Sequence, residues 1–171
     1  IFGKLYSFQF QGAGSFTRTA GVDNKGMLWD AQFARSGRRF GMVYRFNGFH
    51  PDFETASGFI SRTDLVNLNL THRLTHFGQR GALLETWTGE VRLLNDWKYR
   101  SFTSGNIPDD PKVYVINSFT LRGGWVVAST VAVESWKYHP TLYTDYRLER
   151  TLPSGAKDTI PFVGVDRLNV A

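Results

Sequence analysis

In residues 118–136, SFTLRGGWVVASTVAVESW, apolar and polar side chains alternate on both sides of an Arg122-Gly123-Gly124 break. Alternation with a period of two is typical of a half-buried β-strand, because successive side chains in a strand point to opposite faces of the sheet. The glycines in the break are suited to a tight turn. The stretch therefore predicts two antiparallel strands with one apolar face and one polar face.

The same alternation recurs along most of the 171-residue chain, whereas helical spacing of apolar residues is rare. In VNLNLTHRLT, for example, Val66, Leu68 and Leu70 lie on one face, and Asn67 and Asn69 lie on the other. Strands are predicted at about 4–16, 26–35, 39–49, 63–76, 83–97, 112–121, 125–137 and 142–150, with a further one near 162–170. Most are about nine or more residues long, which is the length that a tilted strand needs to cross a bilayer.

The connections between these strands alternate in length. The short ones are SGR, FGQRGA and RGG, and the long ones are TRTAGVDNK, HPDFETASGFIS, YRSFTSGNIPDDP and KYHPT with its flanks. An up-and-down outer-membrane barrel has this pattern because its periplasmic turns are minimal while its outer loops are long. The loops therefore favour a meander whose two ends differ.

In the predicted strands, charged side chains occupy mainly one set of alternate positions, and therefore one face. The other set is apolar and includes runs such as Phe40, Met42 and Tyr44, with Glu85 and Asn117 as exceptions. A charge at the bilayer midplane costs about 2–4 kcal/mol, so the charged parity is predicted to face a polar lumen. The predicted lumen-facing residues are Asp30, Arg45, Arg73, Glu90, Arg92, Glu134, Asp145 and Arg147.

Large aromatic residues mark the ends of several predicted strands. Amphipathic rings settle at the headgroup level of a bilayer, because the ring is apolar while its N–H or O–H group still reaches water. The predicted interface aromatics are Trp29, Trp97, Tyr99, Trp125, Trp136 and Tyr138. The alternative is that such rings cap an ordinary soluble core.

Composition excludes several functions. The chain has no cysteine, so it has no disulfide and no thiolate metal site, and no apolar run is long enough for a transmembrane helix. The net charge of +5 is scattered without a basic run, which argues against nucleic acid as a partner. No catalytic or cofactor motif is present, so neither an enzyme nor a cofactor is expected.

Two sets of loop residues leave alternatives open. His50, Asp52 and Glu54 could ligate a hard cation or act as acid and base, although Pro51 favours a shaped turn. Asp109 and Asp110 could bridge a divalent ion or lipopolysaccharide, although a solvated loop tip is the simpler interpretation.

The loop FHPDFETASGFISRTDL, residues 49–65, carries a longer motif. It resembles a domain-of-unknown-function family of Gram-negative outer-membrane β-barrels, in which Pro-Asp-Phe leads into Gly-Phe and then Arg-x-Asp. The matching residues are Pro51, Asp52, Phe53, Gly58, Phe59, Arg62 and Asp64. The resemblance implies a barrel that follows an N-terminal carbohydrate-binding-like module, and a link to carbohydrate binding or uptake through that module. Nothing here resembles that module, so residues 1–171 are expected to be the barrel part of a longer chain.

The sequence thus predicts an all-β, antiparallel up-and-down transmembrane β-barrel, or a barrel segment of about eight long strands, in a bacterial outer membrane. The expected role is a membrane-embedded pore or anchor that contacts lipid and lipopolysaccharide, with glycans as a further partner. A soluble, lipocalin-like barrel that binds a small ligand is the alternative, because its strands alternate in the same way with the apolar face inward. A hydrolase built on the loop carboxylates is a third, weaker alternative.

Overall fold

The computed structural model describes residues 4–19, 21–55, 62–140 and 143–171, and these are almost entirely β-strand, as predicted. The elements are β1 (Tyr6–Thr19), β2 (Val22–Ser36), β3 (Phe40–Phe49), β4 (Leu65–Phe77), β5 (Leu84–Trp97), α1 (Tyr99–Thr103), β6 (Lys112–Leu121), β7 (Trp125–Tyr138), β8 (Arg147–Thr151), β9 (Lys157–Pro161) and β10 (Val165–Val170).

Eight strands form one antiparallel sheet in the order β1-β2-β3-β4-β5-β6-β7-β10, and β8 pairs with β9 in a separate two-stranded sheet. The predicted antiparallel meander of eight strands is therefore confirmed. Within the described residues, β1 and β10 do not pair with each other, so the sheet is open and has two free edges.

The last part of the meander differs from the prediction. The strand expected at 142–150 is the five-residue β8, whose partner is β9, and β10 takes the position beside β7. The reason is local: a turn at residues 152–156, with Gly155 at φ 82°, lets the chain pair with its own next segment. Asp145 lies in the turn before β8 and Arg147 is its first residue, so neither of these predicted lumen residues lies on the eight-stranded sheet.

The first connection is also shorter than predicted. Residues of the expected loop TRTAGVDNK continue both strands, so that Thr19 pairs with Val22, and Gly21 adopts a left-handed backbone at φ 83°. The guanidinium of Arg18 donates two hydrogen bonds to the carboxylate of Asp23, at 2.5 and 3.0 Å. The polar residues of this stretch predict a loop, whereas the structure continues both strands through them.

The remaining connections separate by length between the two ends of the sheet. One end, called the short-turn end, carries residues 37–39, 78–83 and 122–124. The opposite end, called the long-loop end, carries the described parts of the connections 50–64, 98–111 and 139–164. A meander reverses direction at each strand, so connections of alternating length necessarily collect at opposite ends.

The register divides the sheet into an apolar face and a polar face, because residues paired across antiparallel strands share a face. One row of partners from β1 to β10 is Phe8, Phe33, Tyr44, Leu70, Leu93, Val113, Val133 and Val170. The adjacent row, on the opposite face, is Gln9, Gln32, Arg45, Asn69, Leu94, Lys112, Glu134 and Asn169. The parity that the sequence predicts thus extends across all eight strands.

Burial on this sheet is inverted relative to a soluble protein. Five of the seven buried non-glycine residues in the described ranges lie on the polar face, namely Ser15, Ala34, Thr75, Lys112 and Ala132. On the apolar face, large side chains such as Phe8, Met27 and Val131 are more than half exposed. A soluble antiparallel sheet packs its apolar face on a core. Here α1 covers only the long-loop end of that face, where Phe102 packs against Phe46 and Trp97.

Candidate functional site

The polar face brings together six of the eight charged residues predicted from parity. Asp30, Arg45, Arg73, Glu90, Arg92 and Glu134 all lie on it. Arg45 donates hydrogen bonds to both carboxylate oxygens of Asp30 across β2 and β3, at 3.1 Å from its Nε. Arg92 pairs with Glu90 along β5, and Arg73 donates to the Thr75 hydroxyl at 2.7 Å. The charges on this face therefore neutralise one another or bond to polar neighbours.

A groove of about 370 Å³ lies on the polar face near β1 and β2. Its lining contains the side-chain amides of Gln9, Gln11 and Gln32 beside the Arg45–Asp30 pair. Amides offer both donors and acceptors, so this groove can bond to neutral polar groups.

Lys112 is the most enclosed charge on the polar face, and parity alone did not identify it. The residue is 9% exposed, and its Nζ lies 3.6 Å from a carboxylate oxygen of Asp96 and 3.6 Å from the ring centroid of Trp136. Asn67 donates to the same Asp96 carboxylate, and the Tyr114 hydroxyl donates to Glu134, the register partner of Lys112. These side chains link β4, β5, β6 and β7 into one polar network.

Asp109 and Asp110 do not form the solvated loop tip that the sequence favoured. Oδ2 of Asp109 accepts a hydrogen bond from the Lys98 amide at 3.1 Å, and its Oδ1 lies 3.4 Å from Nε2 of His139. Oδ1 of Asp110 accepts from the Lys137 amide at 2.6 Å. The two carboxylates therefore fasten the β5–β6 connection to the end of β7, a contact between segments far apart in the sequence.

The predicted loop motif folds back over the polar face of β1 and β2. Phe53 is 5% exposed, and its backbone lies against Gly26 of β2. The Ser15 hydroxyl accepts a hydrogen bond from the Glu54 amide at 3.0 Å. His50 Nδ1 accepts from the Asp52 amide at 3.2 Å, which supports the turn rather than a cation site. Pro51 lies in this turn.

The rest of the loop motif has other partners. Asp64 has a left-handed backbone at φ 55°, and its carboxylate accepts a hydrogen bond from the Tyr99 amide at 3.1 Å. The ion pairs of the described residues do not include one between Arg62 and Asp64. Gly58 and Phe59 lie outside the described residues. In the parts of the chain that the structure describes, no three His, Asp or Glu side chains form a metal site.

Replacing Gly26 by alanine is expected to release this loop, because a Cβ atom there would collide with the Phe53 backbone. Burial of a phenylalanine side chain is worth about 1.5–3 kcal/mol, so proteolytic cleavage within residues 51–55 should become roughly tenfold faster or more. Gly14→Ala is the matched control on the same hairpin, since its Cβ would lie 3.5 Å from the Phe16 ring, an ordinary contact. Equal cleavage rates for the two variants would show that the loop is not held there.

The predicted interface aromatics divide between the two faces. Trp29 and Trp97 lie on the apolar face at the long-loop end, in a ring cluster with Phe46 and Phe102. Trp125 lies on the apolar face at the short-turn end. Tyr99 begins α1 and packs edge-on against His50, with the ring centroids 5.1 Å apart.

Trp136 and Tyr138 do not fit the predicted interface position. Both share parity with Glu134 and therefore lie on the polar face, opposite the side that would meet lipid. The ammonium group of Lys112 instead lies over the Trp136 ring in a cation–π contact. The sequence contains a signal for this position: Trp136 and Tyr138 are two and four residues after Glu134, so all three lie on the same face of a strand.

Comparison of the chain with protein-family models, with curated proteins and with solved structures finds no match. The resemblance of the 49–65 loop to an outer-membrane family therefore stays a prediction. Among the described residues, no helix is both long enough and apolar enough to cross a membrane.

Proposed function

We propose that residues 1–171 form an outer-membrane β-barrel, or a segment of one, that serves as a membrane-embedded pore or anchor in a Gram-negative bacterium. The observation that carries this proposal is the inverted burial: a charge-poor apolar face is exposed across eight strands, while buried side chains collect on the polar face. Lipid is the solvent in which that distribution is favourable.

Polar groups that do lie on the apolar face support the same conclusion. Asn117, an exception to the parity, accepts a hydrogen bond from Trp87 Nε1 at 3.1 Å, and His72 is hydrogen-bonded to the Tyr44 hydroxyl. Glu85, the other exception, lies at the short-turn end, at the register shift between Leu84 and Thr86 that interrupts the alternation of β5. Arg35, which pairs with Met42 on the apolar face, also lies at that end. Hydrocarbon offers no hydrogen bonds, so polar side chains there have to be paired or placed near an end.

The proposed interior is the polar face. Its predicted charges on the sheet are three carboxylates and three guanidinium groups, which gives no net field for selecting anions or cations. The separation of short and long connections from β2 onward matches the geometry of a barrel. In this proposal the long-loop end meets lipopolysaccharide, with glycans as a further partner.

Heat modifiability tests the proposal. Chain refolded into zwitterionic detergent or phosphatidylcholine vesicles is expected to migrate differently on a dodecyl sulfate gel before and after boiling, because a closed barrel resists the detergent. Chain kept in urea is the control and should show one mobility. A lipocalin-like barrel would instead refold without detergent and stay soluble, and that result would contradict the proposal.

A further inference from the structure

The entire formal net charge of the chain lies within two residues of the short turns or of the start of β1, which are all at the short-turn end. Six of the 20 Lys and Arg residues are there, against one of the 15 Asp and Glu residues, Glu85. The six cations are Lys4, Arg35, Arg38, Arg39, Arg80 and Arg122. The other 14 cations are balanced by the other 14 carboxylates, so the rest of the chain is neutral.

None of these six cations has a carboxylate partner among the ion pairs of the described residues. Within the described ranges, the ion pairs of Lys and Arg all lie elsewhere, on the polar face, in the β1–β2 and β8–β9 hairpins or at the long-loop end. The guanidinium of Arg38 lies 4.5 Å from the centroid of the Phe77 ring, and that of Arg35 lies 5.3 Å from the centroid of the Phe40 ring. Arg122 donates to a backbone carbonyl, that of Gly81, at 3.4 Å. Each guanidinium has five N–H donors, so most of these donors remain for a ligand.

Apolar and aromatic side chains adjoin the cations on the apolar face. Trp125, three residues after Arg122, is 74% exposed, and Phe40 follows directly after Arg38 and Arg39. Cations beside exposed aromatic residues are typical of the level in a bilayer where the lipid phosphates meet the acyl chains.

We propose that the short-turn end binds the phosphate groups of anionic phospholipids in the leaflet that it faces. This inference rests on the proposed membrane function and adds a lipid partner to it. The apolar face fixes the depth of the sheet, which brings the short turns to the headgroup layer, and the unpaired arginines then contact phosphate oxygens by charge-assisted hydrogen bonds.

The test compares phosphatidylglycerol with phosphatidylcholine of the same acyl chains. The full chain is refolded in zwitterionic detergent, titrated with each lipid, and the lipids retained are counted by native mass spectrometry. One variant carries R38Q, R39Q, R80Q and R122Q. The matched control carries K25Q, R100Q, R150Q and K157Q, which removes the same charge from exposed side chains away from the short-turn end.

Wild-type protein and the control are expected to prefer phosphatidylglycerol, and the short-turn variant should lose about tenfold or more of this preference, because each basic residue near an anionic surface contributes roughly fivefold. High salt should weaken the wild-type preference. If the quadruple variant does not refold, the double variants R38Q/R39Q and R80Q/R122Q should each lose part of the preference.

Three results would overturn the inference. If the short-turn variant and the control lost the same fraction of the preference for phosphatidylglycerol, the total charge of the protein, and not the short-turn end, would decide lipid binding. Complete displacement of the lipid by inorganic phosphate would mean a free-anion site. Tight retention of duplex DNA by the refolded chain would mean a nucleic-acid surface. A wild-type chain that shows the heat shift without lipid preference contradicts this inference alone, whereas a chain that refolds without detergent and stays soluble contradicts the proposed function.

Discussion

Replacing Val131 by arginine is expected to destabilise the lipid-inserted protein by about 2–4 kcal/mol, the cost of a guanidinium near the bilayer midplane. Val131 lies near the middle of β7 on the apolar face and is 57% exposed. The measurement is the folded fraction in phosphatidylcholine vesicles across a urea titration, read from the heat-shifted band. A loss of this size would remove most of the folded band at urea concentrations that wild-type protein resists.

Thr130→Arg is the matched control, because Thr130 is the preceding residue, is also exposed, and lies on the polar face. In the proposed barrel this arginine reaches a wet interior, so stability should change by less than about 0.5 kcal/mol. In water both variants would be equally harmless, because both side chains are exposed. Equal stability of V131R and T130R would therefore contradict lipid contact on the apolar face.

Replacing Lys112 by methionine should cost about 2–3 kcal/mol of unfolding free energy, because the change leaves the Asp96 carboxylate without its cation and removes the ammonium group from the Trp136 ring. Methionine is unbranched and only one heavy atom shorter than lysine, so the loss reports mainly on charge rather than on packing. The same urea titration measures it.

Lys137→Met is the control for this change. Lys137 also pairs with a carboxylate, that of Asp109, but at 3.9 Å and with its own side chain 45% exposed. Exposed pairs contribute little, so its loss should be below about 1 kcal/mol. If the two variants were equally stable, the network around Lys112 would have no structural role.

Much of the sheet could be predicted because side chains alternate between the two faces of a strand whichever strand pairs with it. The alternation around Met42 and Tyr44 gives the faces of β3 whichever strand lies beside it. Once the meander is assumed, neighbouring strands pair in register, and Asp30 meets Arg45 on the same face. Position on a face therefore followed from local sequence alone.

Partner choice did not follow from local sequence. The alternation at 147–151 is the same whether that strand pairs with β7 or with β9, and the turn at Gly155 decides between them. The position of Asp109 depends on β7, more than 25 residues further along the chain. The burial of Phe53 against Gly26 likewise joins segments that carry no mutual pattern. Such contacts depend on tertiary geometry, which periodicity does not encode.

The two free edges of the sheet have a consequence for how the protein enters a bilayer. In the described chain, β1 presents an unpaired side along 14 residues and β10 along six. Each backbone amide or carbonyl left without a partner in hydrocarbon costs several kcal/mol, so an open sheet of this size has no stable inserted state. Membrane entry and closure of the seam should therefore be one concerted event, and a half-inserted ribbon should never accumulate.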